Sequence, residues 1–233
     1  MTTRVIYLDN QATTPLDPRV LDAMLPYLTE VYGNPSSLHS HGRQAAEAVH
    51  AARRQVQALI GAAHESEIVF TSGATESNHL ALIGAAVANR DRGEHIVVTA
   101  IEHKSVLSTC EQLTRAGFAV ASVLSVAGRP VDPAALSVPS PRSVLVSVMH
   151  ANSEIGPLQP LADIAAITGT RGVLLHTDAA QSIGTISLQV DLPLVQELPD
   201  PAAVAYLKHD LGLGATNAEG GEEGGLDVLA QWW

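Results

Sequence analysis

Short apolar runs alternate with helix-like segments from Glu67 onward, and this alternation most constrains the fold. The predicted strands cover residues 68–71, 95–99, 118–124, 143–148 and 173–176. The predicted helices between them cover residues 78–89, 105–116, 133–136 and 161–168. Alternating strands and helices form parallel sheets, and strands that are apolar throughout indicate a sheet with both faces covered. We therefore predict an α/β fold with a mostly parallel sheet and helices on both faces.

The segments outside this alternation differ in character. Before it, a strand-like segment at 5–8 is followed by helical periodicity over 16–31 and 44–60. After Leu192 the pattern fails, and residues 193–233 contain three prolines and a GGEEGG run at 220–225. We predict a large domain over 1–191, with a helical arm over about 1–62 and an α/β core over about 63–191. Residues 192–233 are predicted to be a divergent acidic tail with one short helix at 202–209.

Composition narrows the class of partner. The net charge of −11, from 24 acidic and 13 basic residues, disfavours nucleic acids and anionic membranes. No apolar run reaches the roughly 18 residues that a membrane helix requires. The single cysteine excludes an internal disulfide and fits a reducing compartment. We therefore expect a soluble, cytoplasmic protein that binds a small molecule.

Polar residues follow several predicted strands, where open α/β sheets bind ligands. Gly73 and Thr75 lie in a loop before a helix, and this loop either holds a phosphate or only caps the helix. His103 either stacks on a planar ligand and relays protons or is an ordinary loop histidine. Asn152, taken by itself, is a common turn residue.

Asp178 and Gln181 follow the most apolar of these strands, at 173–175. A buried carboxylate without a partner is very costly, so a cation on a ligand is the expected partner of Asp178. A phosphate site, a flat ligand, an amide donor and an acid for a ring cation together describe pyridoxal phosphate.

Six segments, in this order, resemble those of cysteine desulfurases, within the class V aminotransferase group, across about residues 5–191. They are YLDNQATTPLDP (7–18), GNPSS (33–37), IVFTSGATES (68–77), EHKSV (102–106), SVMHANSEIG (147–156) and HTDAAQSIG (176–184).

The resemblance implies a pyridoxal phosphate enzyme of fold type I, usually a homodimer. The family converts L-cysteine to L-alanine and leaves persulfide sulfur on the enzyme for iron–sulfur cluster or thio-cofactor synthesis. By position it also implies the cofactor contacts: the phosphate by Ala74 and Thr75, ring stacking and acid–base catalysis by His103, the ring hydroxyl region by Asn152, the ring nitrogen by Asp178 and the phenolate oxygen by Gln181.

The chain departs from the family after about residue 191. Family members continue, a couple of dozen residues after the glutamine, into a Ser-x-His-Lys segment whose lysine attaches the cofactor. The only lysines here are Lys104 and Lys208, and Lys208 lies in the unrelated sequence YLKHD. The family's smaller domain and its loop with a nucleophilic cysteine also have no counterpart, and Cys110 lies inside a predicted helix. We therefore expect a truncated or altered chain that is inactive alone, with covalent cofactor attachment in doubt.

The sequence leaves other interpretations open. The chain could be a non-catalytic partner that uses the family's dimer surface to bind an intact desulfurase or a sulfur acceptor. It could instead bind pyridoxal phosphate without covalent attachment or turnover. His39 and His41 invite a metal-binding interpretation, but no cysteine or carboxylate has a suitable spacing, so no metal is expected.

Overall fold

The computed structural model describes residues 6–8, 10, 13–125, 128–136 and 140–186. These residues fall into two compact units, one up to Val56 and one from Gln57 onward. The predicted tail at 192–233, with its helix and Lys208, lies outside the described residues. Residues 6–8 of the segment predicted as a strand are not part of a strand.

The two helices expected before the α/β core are present, with shifted ends. Helix α1 spans Pro18–Thr29, and the Asp17 carboxylate accepts a hydrogen bond from the backbone N–H of Arg19 at 2.8 Å. Helix α2 spans Ser40–Ile60 and begins four residues before the predicted start. A side chain at Gly42 would lie 2.2 Å from the carbonyl oxygen of Ser37, so glycine permits this early start against the GNPSS loop.

The second unit is built on a four-stranded parallel sheet. Its strands are β1 His95–Thr99, β2 Ala119–Val123, β3 Ser143–Ser147 and β4 Leu174–His176, in the order β2-β1-β3-β4. The helices are α3 Ala74–Ala88, α4 Lys104–Arg115 and α5 Leu161–Gly169, with short 3-10 helices at Glu65–Glu67 and Pro133–Leu136. All strand pairs are parallel, which confirms the predicted sheet. None of the helices in the described part of the chain is long and apolar enough to cross a membrane.

Two apolar clusters cover the opposite faces of this sheet. Ile96 and Val98 of β1 pack with α3 and α4 in one cluster. Val97, between them in the sequence, packs with Val146 of β3 and Ile164 of α5 in the other. Alternate residues of a strand point to opposite faces, so the two clusters confirm helices on both faces.

The strand predicted at 68–71 is wrong. Ile68 is buried and forms an isolated bridge, but Val69 is partly exposed and the segment does not enter the sheet. The chain turns at Gly73 and α3 begins at Ala74, four residues before the predicted helix. A run of three apolar residues followed by a threonine cannot by itself distinguish a strand from an extended lead into a helix.

Candidate functional site

The loops that follow β1, β3 and β4 meet at the carboxyl edge of the sheet. The ladder between β3 and β4 continues past the strands, because the N–H of Val148 donates to the carbonyl oxygen of His176 at 3.0 Å. The N–H of His150 then donates to the carbonyl oxygen of Asp178 at 2.9 Å. The register of the sheet therefore brings Asp178 beside the loop that carries Asn152.

Asp178 is buried and held by neutral donors. Its Oδ1 accepts from the backbone N–H of Ala180 at 3.0 Å, and its Oδ2 accepts from Asn78 Nδ2 at 2.9 Å. No cationic side chain of the described residues forms an ion pair with it. Each oxygen therefore has a lone pair left for a cationic donor on a ligand.

Asn78 connects Asp178 to His103. The same Nδ2 that donates to Asp178 donates to Ser105 Oγ at 2.9 Å, and Ser105 Oγ lies 2.8 Å from His103 Nδ1. Sequence reasoning missed Asn78 and Ser105. The available signal was that Asn78 is a polar residue at a core position of an otherwise apolar helix, where it is 3% exposed.

His103 caps helix α4 and leaves part of its ring open to solvent. Its Nδ1 accepts a hydrogen bond from the backbone N–H of Ser105 at 3.1 Å. A nitrogen that accepts carries no proton, so the neutral ring has its proton on Nε2. The capping interaction thus sets both the orientation and the tautomer of His103.

The start of α3 is suited to an anion. Gly73 has no side chain with which to cap the helix, so the first N–H groups, at Ala74 and Thr75, are not engaged by a cap. Glu76 accepts hydrogen bonds from the N–H and hydroxyl of Ser72, and these bonds lower the pKa of its carboxyl group. Ala74 and Thr75 therefore lie where the sequence predicted a phosphate site.

Asn152 and Gln181 differ in how the protein uses their amides. Asn152 Nδ2 donates to the carbonyl oxygen of Ile101 at 2.8 Å, and its Oδ1 accepts from the N–H groups of Glu154 and Ile155. Its amide thus holds two loops together, and its contact with a ring hydroxyl stays a prediction. Gln181 lies in the turn after Asp178, and its side chain has no hydrogen bond to another described residue.

Glu102 is a second buried carboxyl group that sequence reasoning did not single out as a site residue. Its Oε1 accepts from Thr99 Oγ1 and from the backbone N–H of Met149 at 2.5 Å. The pKa of Glu102 is raised to about 7, chiefly by burial; the hydrogen bonds from Thr99 and Met149 oppose this rise, and the charge of Asp178 makes a smaller contribution to it.

Two histidines near these loops are kept neutral. His176 Nδ1 lies 2.8 Å from Ser147 Oγ, and His150 Nδ1 lies 2.8 Å from Ser182 Oγ. Burial lowers the pKa of His176 to about 4, against an opposing effect of Asp178, and burial also lowers the pKa of His150. Neither ring supplies a positive charge near Asp178 at neutral pH.

Cys110 is part of the core beneath α4. It is buried against the sheet, and burial, followed by the charge of Glu102, raises the pKa of its thiol to about 11. A nucleophilic cysteine requires a lowered pKa and access, so the expectation that Cys110 is structural is supported.

The family model described as aminotransferase class-V matches residues 6–192. The cysteine desulfurase of Mus musculus is 50% identical over 190 residues, which are 81% of this chain and 41% of that protein. The cysteine desulfurase IscS of Anaeromyxobacter sp. (strain K) is 50% identical over 188 residues, which are 80% of this chain and 46% of that protein.

Solved structures agree with these relatives. A NifS-like protein superposes with a TM-score of 0.74 and 39% identity, over 79% of this chain and 51% of that one. SspA, solved in complex with cysteine, superposes with a TM-score of 0.77 and 33% identity, over 88% of this chain and 57% of that one. The chain thus spans less than half the length of the two curated relatives above. Because the family model covers more than half of its residues, the chain belongs to the class V aminotransferase family.

Proposed function

We propose that this chain binds pyridoxal phosphate in a site of the cysteine desulfurase type and that the 233 residues alone do not turn over L-cysteine. The observation that carries the proposal is the buried carboxylate of Asp178, which is held only by neutral donors and is linked to His103 through Asn78 and Ser105.

The donor set fits this cofactor. Asp178 offers a carboxylate to a protonated ring nitrogen, and the start of α3 offers N–H groups to a phosphate. His103 offers a ring with an open face, and Gln181 offers an amide that no described residue engages. When bound, pyridoxal phosphate supplies an electron-withdrawing ring that stabilises a carbanion.

The chain's own residues would bind and orient this group. Asp178 would hold a proton on the ring nitrogen, and Ala74 and Thr75 would bind the phosphate through the start of α3. His103, with its proton on Nε2, would stack on the ring and exchange that proton with a substrate at the ring face. Asn152 would contact the ring hydroxyl region, and Gln181 would donate to the phenolate oxygen.

Two features of the sequence support the proposed absence of turnover. No Ser-x-His-Lys segment occurs in the printed 233 residues, and Cys110 is a buried thiol. Sulfur transfer requires an amine that anchors the cofactor and a reactive thiolate that receives the sulfur. We therefore expect cofactor binding without release of sulfur.

The remaining parts of the proposal rest on the family. L-cysteine is the proposed substrate class of a complete site, in line with the relative solved in complex with cysteine. We also propose that the chain pairs with itself or with an intact desulfurase, in the cytoplasm, and that the pair with an intact desulfurase supplies sulfur to an acceptor for iron–sulfur cluster assembly.

Visible absorption and borohydride trapping test this proposal. The purified chain is mixed with pyridoxal phosphate, treated with borohydride, digested and analysed by mass spectrometry for cofactor attached to Lys104 or Lys208. We expect bound cofactor that dialyses away, no attached lysine, and no sulfide release from L-cysteine.

Two results would contradict the proposal in different ways. Failure of the chain to retain any pyridoxal phosphate at a concentration that saturates an intact desulfurase would reject the cofactor site. Attachment to Lys208, together with sulfide release that Lys208→Ala abolishes, would show that the chain has its own anchoring lysine.

A further inference from the structure

Glu102 connects two loops of the site. It is 6% exposed, and its Oε1 accepts hydrogen bonds from Thr99 at the end of β1 and from Met149 just after β3. Asn152, from the loop after β3, contacts the loop after β1 in turn, because its Nδ2 donates to the carbonyl oxygen of Ile101 at 2.8 Å. The loop of His103 and the loop of Asn152 are therefore held together by two side chains, one from each loop.

The second oxygen of Glu102 indicates which protonation state the site favours. Glu102 Oε2 is buried and has no hydrogen-bond partner among the described residues. Asp178, in contrast, accepts a hydrogen bond at each of its oxygens. A buried charge whose second oxygen lacks a donor costs far more than a neutral acid at the same place, so the neutral form suits Glu102.

Among the described residues, Asp178, from the loop after β4, and Cys110, from α4, interact electrostatically with Glu102. A nearby negative charge disfavours a second one, so Asp178 adds to the cost of ionising Glu102. Cys110 stays protonated near neutral pH and adds no charge.

We propose that Glu102 is a positioning residue that works as the neutral acid. Its carboxyl group holds the loops of His103 and Asn152 at a fixed separation and leaves Asp178 as the carboxylate for the cofactor's ring nitrogen. The raised pKa of Glu102, about 7, is consistent with this role. The inference deepens the proposed function and rests on it wherever cofactor binding is concerned.

Substitutions at Glu102 test whether the site needs its carboxyl group as a neutral acid or as a charged carboxylate. Glu102→Gln keeps the acceptor oxygen and the shape of the neutral acid, whereas Glu102→Ala removes both. Glu111→Gln, at an exposed position of α4, is the matched control. In equilibrium dialysis against pyridoxal phosphate, we expect Glu102→Gln to bind within about twofold of the unmodified chain and Glu102→Ala to bind about tenfold more weakly, since one lost interaction of this kind is worth about 1.4 kcal/mol or more. Equal weakening in both variants would overturn the proposal, because it would show that the charge itself is required.

The pH dependence of stability provides a second test that needs no cofactor. A carboxyl group with a raised folded-state pKa stabilises the fold fully below its unfolded pKa, near 4.5, and this stabilisation is lost as pH rises through about 7. The melting temperature of Glu102→Gln should therefore rise relative to that of the unmodified chain between about pH 5 and pH 8, and this rise should exceed any change seen with the control Glu111→Gln. A flat difference for Glu102→Gln would mean that Glu102 is ionised throughout and would overturn the proposal. If the unmodified chain binds no pyridoxal phosphate, the proposed function fails, and this measurement on the cofactor-free chain still decides the role of Glu102.

Discussion

Asn78 uses both hydrogens of one amide nitrogen inside the protein, one on Asp178 and one on Ser105. Both acceptor residues are buried, so water cannot readily replace Asn78 as their hydrogen-bond donor. Through these two hydrogen bonds and Ser105, Asn78 connects Asp178, the predicted partner of the ring nitrogen, to His103, the residue predicted to stack on the ring. Asn78 is therefore both a stabilising residue and the link between two predicted cofactor contacts.

We predict that Asn78→Ala lowers the free energy of unfolding by about 1–3 kcal/mol, because it leaves a buried carboxylate oxygen without its side-chain donor. Urea denaturation of the cofactor-free chain measures this change. Gln112→Ala, an exposed substitution on α4, serves as the control and should change stability by less than about 0.5 kcal/mol. Equal stability of Asn78→Ala and the control would show that the hydrogen bonds of Asn78 contribute nothing.

At the scale of elements, β3 and β4 are joined by side chains as well as by their backbones. Ser147 and His176 are register partners, and the hydroxyl of Ser147 lies 2.8 Å from His176 Nδ1. The fully buried ring has a pKa lowered to about 4, so the fold accepts only its neutral form near neutral pH. The edge of the sheet that carries Asp178 thus depends on an uncharged histidine.

We predict that this strand pair is sensitive to acid. The folded-state pKa of His176 is lower than its unfolded value of 6.5, so its contribution to stability is present above about pH 6.5 and is lost as pH falls towards 4. The loss is on the order of 3 kcal/mol for a shift of this size. The measurement is the melting temperature from pH 7 to pH 4 for the unmodified chain and for His176→Asn, whose amide can still contact Ser147.

His176→Asn should lose less stability in acid than the unmodified chain does. Ser147→Ala is the matched control, because it removes the hydroxyl and leaves the titrating ring, and its acid loss should persist. Identical acid profiles for His176→Asn and the unmodified chain would assign the acid sensitivity to other groups.

At the scale of the whole molecule, the predicted cofactor contacts come from segments that are far apart in the sequence. Thr75 lies in the first turn of α3, and His103, Asn152 and Asp178 lie on the loops that follow β1, β3 and β4. Such a site exists only in the folded chain, so a ligand that binds it stabilises the native state through mass action.

We predict that pyridoxal phosphate at about 100 times its dissociation constant stabilises the chain by about 2.7 kcal/mol. For a chain of this size the melting temperature should rise by about 5–10 °C. Asp178→Asn keeps the shape of the side chain but removes its charge, and it should lose most of this shift. Pyridoxal without the phosphate should give a smaller shift, since it cannot use the start of α3. A full rise in melting temperature for Asp178→Asn would show that the charge of this carboxylate is not needed for binding, and would contradict its predicted contact with the ring nitrogen.

Sequence reasoning recovered the fold more completely than the site. The parallel sheet and the two covered faces follow from apolar periodicity, which reflects burial along each element. The position of 68–71 outside the sheet could not be predicted, because three apolar residues followed by a threonine are compatible with both a strand and an extended lead into a helix. Asp178 was recognisable because it follows an apolar strand. The sequence around Glu102, in contrast, does not indicate that its carboxyl group is buried with hydrogen bonds to only one oxygen.

The sequence by itself determined the order of the elements, the family and the residue types available to a cofactor. These properties are local, since they depend on spacing along the chain and on recurring motifs. Only the tertiary structure decided that Asn78 joins Asp178 to His103 and that Glu102 lies against Thr99 and Met149. These contacts join residues up to 100 positions apart, and they depend on strand register and helix packing, which no short stretch of sequence encodes.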